Sequence, residues 1–383
     1  MTKTPSVTLI ITDSHHTSYL TSLVACLRPL GCHISVLLMT DLDDPVDRFR
    51  PPGVEHFFTT LQERPDFSAI RPHLKRADLI VFDEPFTFRI MATFLILSLR
   101  LSAPMVLSIH NLHTWFFPRL VARPKALAKT LLRKALTMRF RHFLVIGSNI
   151  LDYAHKRLPG RDFLYVPFGI PEADCPPPAD AASAGERLKV VIPGSVNRRR
   201  DYDWLVDSLE RGQRLKDCVE ITLLGRPLDE YGHKILERCQ RLRELGWALE
   251  TFPDFVPRKE YHRRLCEADV LLSVFDIRYR TADGQEEIYG QSKETGVSYL
   301  ALSYAKPLIA PAEFVPLHEI EGQVLPYDQP EAILDLLADI ASGRFDLSPY
   351  RSRAWANRES FDLGPSSAAL ANQLPRSAPP TKG

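Results

Sequence analysis

Residues 286–311 read EEIYGQSKETGVSYLALSYAKPLIAP, a polar loop, an apolar helical run and a short strand in succession. Val297, Leu300 and Tyr304 recur at helical spacing beside small Ala301 and Ser303, and the run breaks at Lys306-Pro307 before Leu308-Ile309-Ala310. A loop ending in Glu294-Thr295-Gly296 just before a helix presents unpaired backbone N–H groups and the positive end of the helix dipole. That arrangement suits an anion, a diphosphate above all. Loop–helix–strand units that bind nothing are common, so the flanking sequence has to discriminate.

Working outward, strands at Leu188–Ile192, Val219–Leu224 and Val270–Val274 alternate with helical patterns at Tyr202–Leu209, around Leu236–Leu245 and near Lys259–Cys266. An amphipathic helix, Gln329–Ile340, follows. The earlier half repeats the alternation, with strands at Val7–Thr12, His33–Met39, Leu79–Phe82, Met105–Ile109, Phe143–Ile146 and Phe163–Val166. Such alternation is the signature of doubly wound α/β domains. The Pro-, Ala- and Asp-rich stretch after Phe168 has no periodicity and reads as a linker. The expected division is therefore 1–168, a linker 169–187, 188–347, helices in 348–374 packing back on the first domain, and a disordered tail 375–383.

A chain of 383 residues with 45% hydrophobic and 25% charged residues suits two folded domains. The six cysteines have neither zinc nor disulfide spacing and fit a reducing compartment. The N-terminal MTKTPSVTLIITD lacks the features of a signal peptide, and Ile90–Leu99 is too short to span a bilayer. The expectation is a cytoplasmic protein, or one lying on the inner face of a membrane. The formal net charge is only +1, yet residues 85–151 hold ten Lys or Arg and no Asp or Glu. Within 116–143, Leu127, Leu131 and Leu132 alternate at helical spacing with Lys125, Lys129, Arg133 and Lys134. A basic amphipathic helix of this kind reads as an anionic-membrane contact, the plain alternative being a solvated helix. No aromatic-rich module accompanies the charge, which argues against nucleic acid.

Ligands of open α/β sheets bind beyond the carboxyl ends of the strands. After the first strand comes Ser14-His15-His16, an acceptor-side candidate; the glycines of a dinucleotide fingerprint are absent there, which argues against NAD. Asp41-Leu42-Asp43 fits an acidic metal motif but reads better as a solvated turn. His110 ends a strand, where an imidazole suits proton transfer or hydrogen bonding. In PGSVNRRRD (193–201), Gly194 permits close backbone approach, and Arg198, Arg199 and Arg200 offer forked donors to phosphate. Gly225-Arg226 follows another strand.

These stretches resemble the family-4 GT-B glycosyltransferases: the Ala305–Ala310 turn matches "GKPVIA", Leu224–Pro227 matches "VGxGP", and Phe252–Pro257 matches "FxGFVP". The resemblance implies two Rossmann-like doubly wound domains facing a cleft. It further implies transfer of a sugar from a nucleotide diphosphate sugar to a glycan or lipid-linked acceptor, with retention, in cell-surface polysaccharide biosynthesis. No bound metal and no cofactor are implied. Arg200 takes the place of the phosphate-binding Lys, while Ser195 stands where the family has Arg. Phe255 and Val256 fall where backbone groups recognise the base, and His110 falls where a His faces the sugar. The register of the two-glutamate motif stays open. Glu286 and Glu294 have the family spacing, with seven residues between them, whereas anchoring on Lys306-Pro307 puts Ser292 and Leu300 at those positions. In the second register Glu287 or Glu294 supplies the acidic contact to the sugar, and Thr295 and Gly296 stay at the diphosphate in either. A nucleotide-sugar 2-epimerase and a non-catalytic relative are the alternatives.

Overall fold

The computed structural model describes residues 4–13, 17–40, 50–119, 124–171, 175–177, 187–211, 215–281 and 284–374. The acceptor-side candidates Ser14, His15 and His16, the Asp41–Asp43 turn and the tail 375–383 lie outside the described residues. The chain divides into two compact units, Met1–Gly169 with Arg280–Glu294 and Asp362–Gly383, and Ile170–Tyr279 with Thr295–Phe361.

In the first unit β1 (Ser6–Ile11), α1 (Thr17–Leu27), β2 (His33–Thr40), β3 (His56–Leu61), α2 (Arg71–Arg76), β4 (Leu79–Phe82) and α3 (Phe88–Arg100) are followed by β5 (Met105–Ile109), α4 (Leu112–Phe116), α5 (Pro124–Arg139), β6 (His142–Val145), α6 (Ser148–Arg157) and β7 (Asp162–Tyr165). The strands form one sheet in the order β3-β2-β1-β4-β5-β6-β7, parallel throughout. Both faces are covered, so β1 is apolar without alternation: Val7, Leu9 and Ile11 enter the core under α1, and Ile10 enters the opposite core under α3.

The second unit carries β8 (Leu188–Pro193), α7 (Tyr202–Arg211), β9 (Val219–Leu224), α8 (Glu230–Glu244), β10 (Ala248–Thr251), α9 (Arg258–Glu267) and β11 (Val270–Leu272). After β12 (Arg278–Arg280) and β13 (Glu286–Ile288) come α10 (Gly296–Ser303), β14 (Leu308–Pro311), β15 (Val324–Tyr327), α11 (Glu331–Ala341), α12 (Ser348–Glu359) and α13 (Gly364–Ala371). Its sheet runs β10-β9-β8-β11-β14-β15, again all parallel. Both sheets have the strand order of doubly wound folds, reversing direction beside the first strand.

Five strands are absent from the sequence reading: β12 and β13, which pair only with each other, and β3, β10 and β15, which are edge strands of the two large sheets. Edge strands face solvent on one side and carry polar residues, as His56, Thr59 and Thr60 do in β3, so their apolar signal is weak. A larger difference concerns the tail of the fold. Only α13 packs on the first unit, against α1, where Leu370 is fully buried. Helix α12 packs against α10 within the second unit, and Arg358 ties it there by donating to the Cys175 carbonyl at 3.0 Å. The expectation that all of 348–374 returns to the first domain is therefore corrected for α12. Its inward side chains are Ala354 and the long Arg358, which fit the second unit's surface.

Candidate functional site

At the carboxyl edge of the second sheet the turns after β8 and β9 are stitched together. Gly194 N–H donates to the Leu224 carbonyl at 3.0 Å, Val196 N–H to Arg226 at 3.0 Å, and Leu228 N–H to Val196 at 3.1 Å. Two glycines make this possible. Gly194 adopts φ 105°, which side chains rarely tolerate, and a Cβ on Gly225 would run into the Gly194 carbonyl.

Arg200 lies against the bare α-carbon of Gly194 and donates from Nη1 to the Pro193 carbonyl at 2.6 Å. Its positive charge opposes the burial that raises the phenol pKa of Tyr202 and pushes that of Tyr261 up to about 12. Arg198 stacks over Tyr231 at 5.5 Å and Arg199 over Tyr279 at 5.4 Å. Among the described residues none of these three guanidinium groups forms a carboxylate ion pair. Arg226 is exposed beside them.

Strand β11 neighbours β8, and the helix that follows it, α10, begins at the same edge. Thr295 caps α10 by accepting the Val297 N–H at 3.4 Å, and Gly296 has open space where a side chain would stand. Phe255 is exposed and Val256 buried, next to β10 at the sheet's end. One feature of this edge escaped the sequence reading. The Asp201 carboxyl is pushed up, by burial first and also by Asp276, and the phenol pKa of Tyr327 is raised by burial and then by these two carboxylates. The three residues are far apart in sequence, so spacing gave no sign of them.

The first sheet's carboxyl edge holds a second polar cluster. Buried His110 directly follows β5, with its Nε2 3.3 Å from Asp83 Oδ1. Asp83 is pinned by the Thr12 N–H at 3.1 Å and the Thr12 hydroxyl at 3.0 Å. Glu84 accepts the backbone N–H of His110 at 2.5 Å, the Trp115 indole N–H at 2.7 Å and the Asn111 amide at 3.1 Å. The Tyr19 ring packs edge-on to His110 at 5.4 Å, and burial followed by the Asp83 charge holds its phenol well above the ordinary value. Asp83 and Glu84 also went unnoticed in the sequence, although DEP after a strand of four apolar residues is the mark of a strand-end polar turn.

The acidic loop of residues 284–294 belongs to the first unit. Glu287 is fully buried, accepting from the Thr114 N–H at 2.7 Å, the Thr114 hydroxyl at 2.6 Å and the His113 N–H at 3.2 Å. It caps the first turn of α4. Burial raises its pKa in spite of hydrogen bonds from Ser292 and Thr114. Ser292 is itself buried, with its hydroxyl accepting the Ile288 N–H at 2.8 Å. Glu294 takes the Asn149 amide at 2.8 Å beside Gly147, the N-cap of α6. Both glutamates thus neutralise helix N-termini. Glu286 lies 3.6 Å from Arg119, and Lys293 donates to Asn111 at 2.8 Å. The structure therefore brings Gly194, Arg198, Arg199, Arg200, Gly225, Arg226, Thr295 and Gly296 to one sheet edge, and it puts Glu287, Ser292 and Glu294 in the other unit with His110. Among the described residues no group of three or more His, Cys, Asp or Glu is arranged to hold a metal ion.

Comparison with protein-family models gives no match, and neither does comparison with curated protein sequences. Solved structures do match over nearly the whole chain. HepE of Anabaena, solved with UDP, is 12% identical over 96% of this chain and 98% of that one, with a TM-score of 0.62. A sucrose-phosphate synthase from Thermosynechococcus elongatus is 16% identical over 96% and 98%, with a TM-score of 0.59. The pneumococcal O-GlcNAc transferase GtfA, solved with UDP and GlcNAc, is 8% identical over 96% and 98%, with a TM-score of 0.60. With its two parallel doubly wound sheets, this chain has the GT-B glycosyltransferase fold.

Proposed function

We propose that the chain is a glycosyltransferase that takes a sugar from a nucleotide diphosphate sugar and passes it, with retained configuration, to a glycan or lipid-linked acceptor in cell-surface polysaccharide synthesis. The single observation that carries the reading is Arg200, half-buried against Gly194 with no carboxylate ion pair among the described residues. A half-buried guanidinium of this kind is costly unless it serves an anion. Support comes from similar structures solved with UDP and with UDP-glucose.

In this reading the diphosphate sits at the joined Gly194 and Gly225 turns. Arg200 meets it from below, Arg198, Arg199 and Arg226 form the rim, and the Thr295–Gly296 end of α10 donates backbone N–H groups. As the sugar–phosphate bond breaks, these donors take up the charge developing on the leaving diphosphate. The backbone at Phe255 and Val256 receives the base. His110, oriented by Asp83, is the proposed hydrogen-bonding or proton-relay group of the first unit. Glu287, Ser292 and Glu294 act structurally, by holding α4 and α6. From its cysteine usage and its basic helix α5 we place the protein in the cytoplasm or on the inner face of the membrane. Among the described residues no helix is long and apolar enough to cross a membrane.

Calorimetric titration with UDP, GDP and ADP, for the parent chain and Arg200→Ala, tests the reading. Binding of one diphosphate by the parent and its loss in the variant is expected; undiminished binding by the variant removes the assignment. A non-catalytic role is the second reading, favoured because both loop glutamates are spent on helix ends. Binding of a nucleoside diphosphate with no donor turnover, to acceptor or to water, would support it.

A further inference from the structure

Helices α3 and α5 lie side by side on one face of the first sheet. Their inner sides, Ile90, Met91, Phe94 and Leu136, enter the core. Their outer sides are unexpectedly apolar. Ile96 is 49% exposed, Leu99 68%, Leu127 43%, Leu131 60% and Met138 72%. At about 100° per residue, Leu127, Leu131, Lys134 and Met138 form one continuous stripe along α5. Arg89, Arg100, Lys125 and Lys134 are exposed around this patch, whereas Arg133, counted with the basic residues of this helix in the sequence, is buried at 6% exposure.

A second observation lies at the carboxyl ends of the same helices. A cavity of about 330 Å³ is walled by residues 101–105 on one side and 139–142 on the other. Arg139 in its wall donates to the Ser98 carbonyl, and Arg141, its side chain 84% exposed, stands 3.4 Å from Asp162. Asp162 is the acid beside it, also 3.5 Å from His142, and residues 85–151 contribute none.

We propose that the outer face of α3 and α5 is an interfacial docking surface for a bilayer containing anionic phospholipid. The apolar side chains enter the boundary of the acyl region and the cations reach the phosphates. The cavity beside Arg139 and Arg141 takes one headgroup. Charge selects this occupant. Long cations interleaved with apolar side chains suit a surface that is greasy below and anionic above. A second copy of the chain, paired through the same face, would set cation against cation. The inference is independent of the glycosyl-transfer reading, because none of these residues belongs to the proposed nucleotide site.

The test is co-sedimentation of the full chain with phosphatidylcholine vesicles, with and without phosphatidylglycerol. Several-fold more protein should pellet with the anionic vesicles, and the difference should fade as salt is raised. Leu131→Gln with Met138→Gln should abolish pelleting, and Lys125→Gln, Lys134→Gln and Arg141→Gln together should weaken it and flatten its salt dependence. Unchanged thermal melting and unchanged UDP titration in each variant keep the result separate from misfolding and from the nucleotide site. Failure to pellet at low salt, or equal pelleting of the variants, overturns the proposal. So does a dimer in sedimentation velocity that Leu131→Gln with Met138→Gln converts to monomer, since the face would then join two copies.

Discussion

The carboxylate of Glu287 receives both the backbone N–H and the hydroxyl of Thr114, 173 residues earlier in the chain, at 2.7 and 2.6 Å. A helix begins there whose N–H groups have no side-chain cap from its own Asn111, and a residue from a distant loop supplies the acceptor instead.

Glu287→Ala leaves the buried Thr114 and His113 donors unmatched and should cost about 2–4 kcal/mol of stability, read by urea denaturation. The pH dependence follows from the raised pKa. Burial makes ionisation harder in the fold than in the unfolded chain, so this contribution is full below the unfolded value of 4.5 and is lost as pH rises through the higher folded value. Glu287→Gln should flatten the stability profile in that window. A profile identical to the parent's would exclude Glu287 as its source.

Arg200→Ala should weaken nucleoside diphosphate by about 1.5–3 kcal/mol, roughly ten- to a hundredfold in Kd. The bare nucleoside should bind as before, because the guanidinium meets phosphate only. Titration calorimetry distinguishes the two.

Gly225→Ala should harm the same site by geometry instead of charge. Its Cβ would meet the Gly194 carbonyl, a backbone atom that moves only if both turns part. A loss of about 1–3 kcal/mol in stability is expected. Diphosphate affinity should fall with it; a variant that melts and binds like the parent would show the two turns to be independent.

His110→Ala should lower turnover by roughly 10²-fold while sparing UDP affinity. Asp83→Asn should give a smaller fall in kcat at nearly constant KM, because the imidazole stays but loses the carboxylate 3.3 Å from Nε2. Equal kcat for parent and Asp83→Asn would make the pair structural.

Glu294→Ala removes the acceptor for Asn149 and a negative charge at the start of α6. About 1 kcal/mol of stability should be lost. Nucleoside affinity should not change, whereas a ribose contact would make it fall; melting and calorimetry on one preparation settle which.

The sequence by itself determined the two doubly wound halves. Strands buried on both faces read as near-continuous apolar runs, and β1, β5, β8 and β9 do so without any neighbour, a few polar residues such as Lys189 and Glu220 apart. The glycine turns after β8 and β9, and the helix start at Thr295-Gly296, were legible too, since close backbone approach and capping are demands on single residues. Tertiary structure alone decided where the acids go. Glu287 and Glu294 carry the same charge in any loop, and only the fold brings them to the N-termini of α4 and α6. It likewise left Leu131 and Met138 outside, although their apolar side chains alone would favour the core. Local chemistry fixes period, turn and cap; the partner of a charge depends on which distant segment the packed sheet brings beside it.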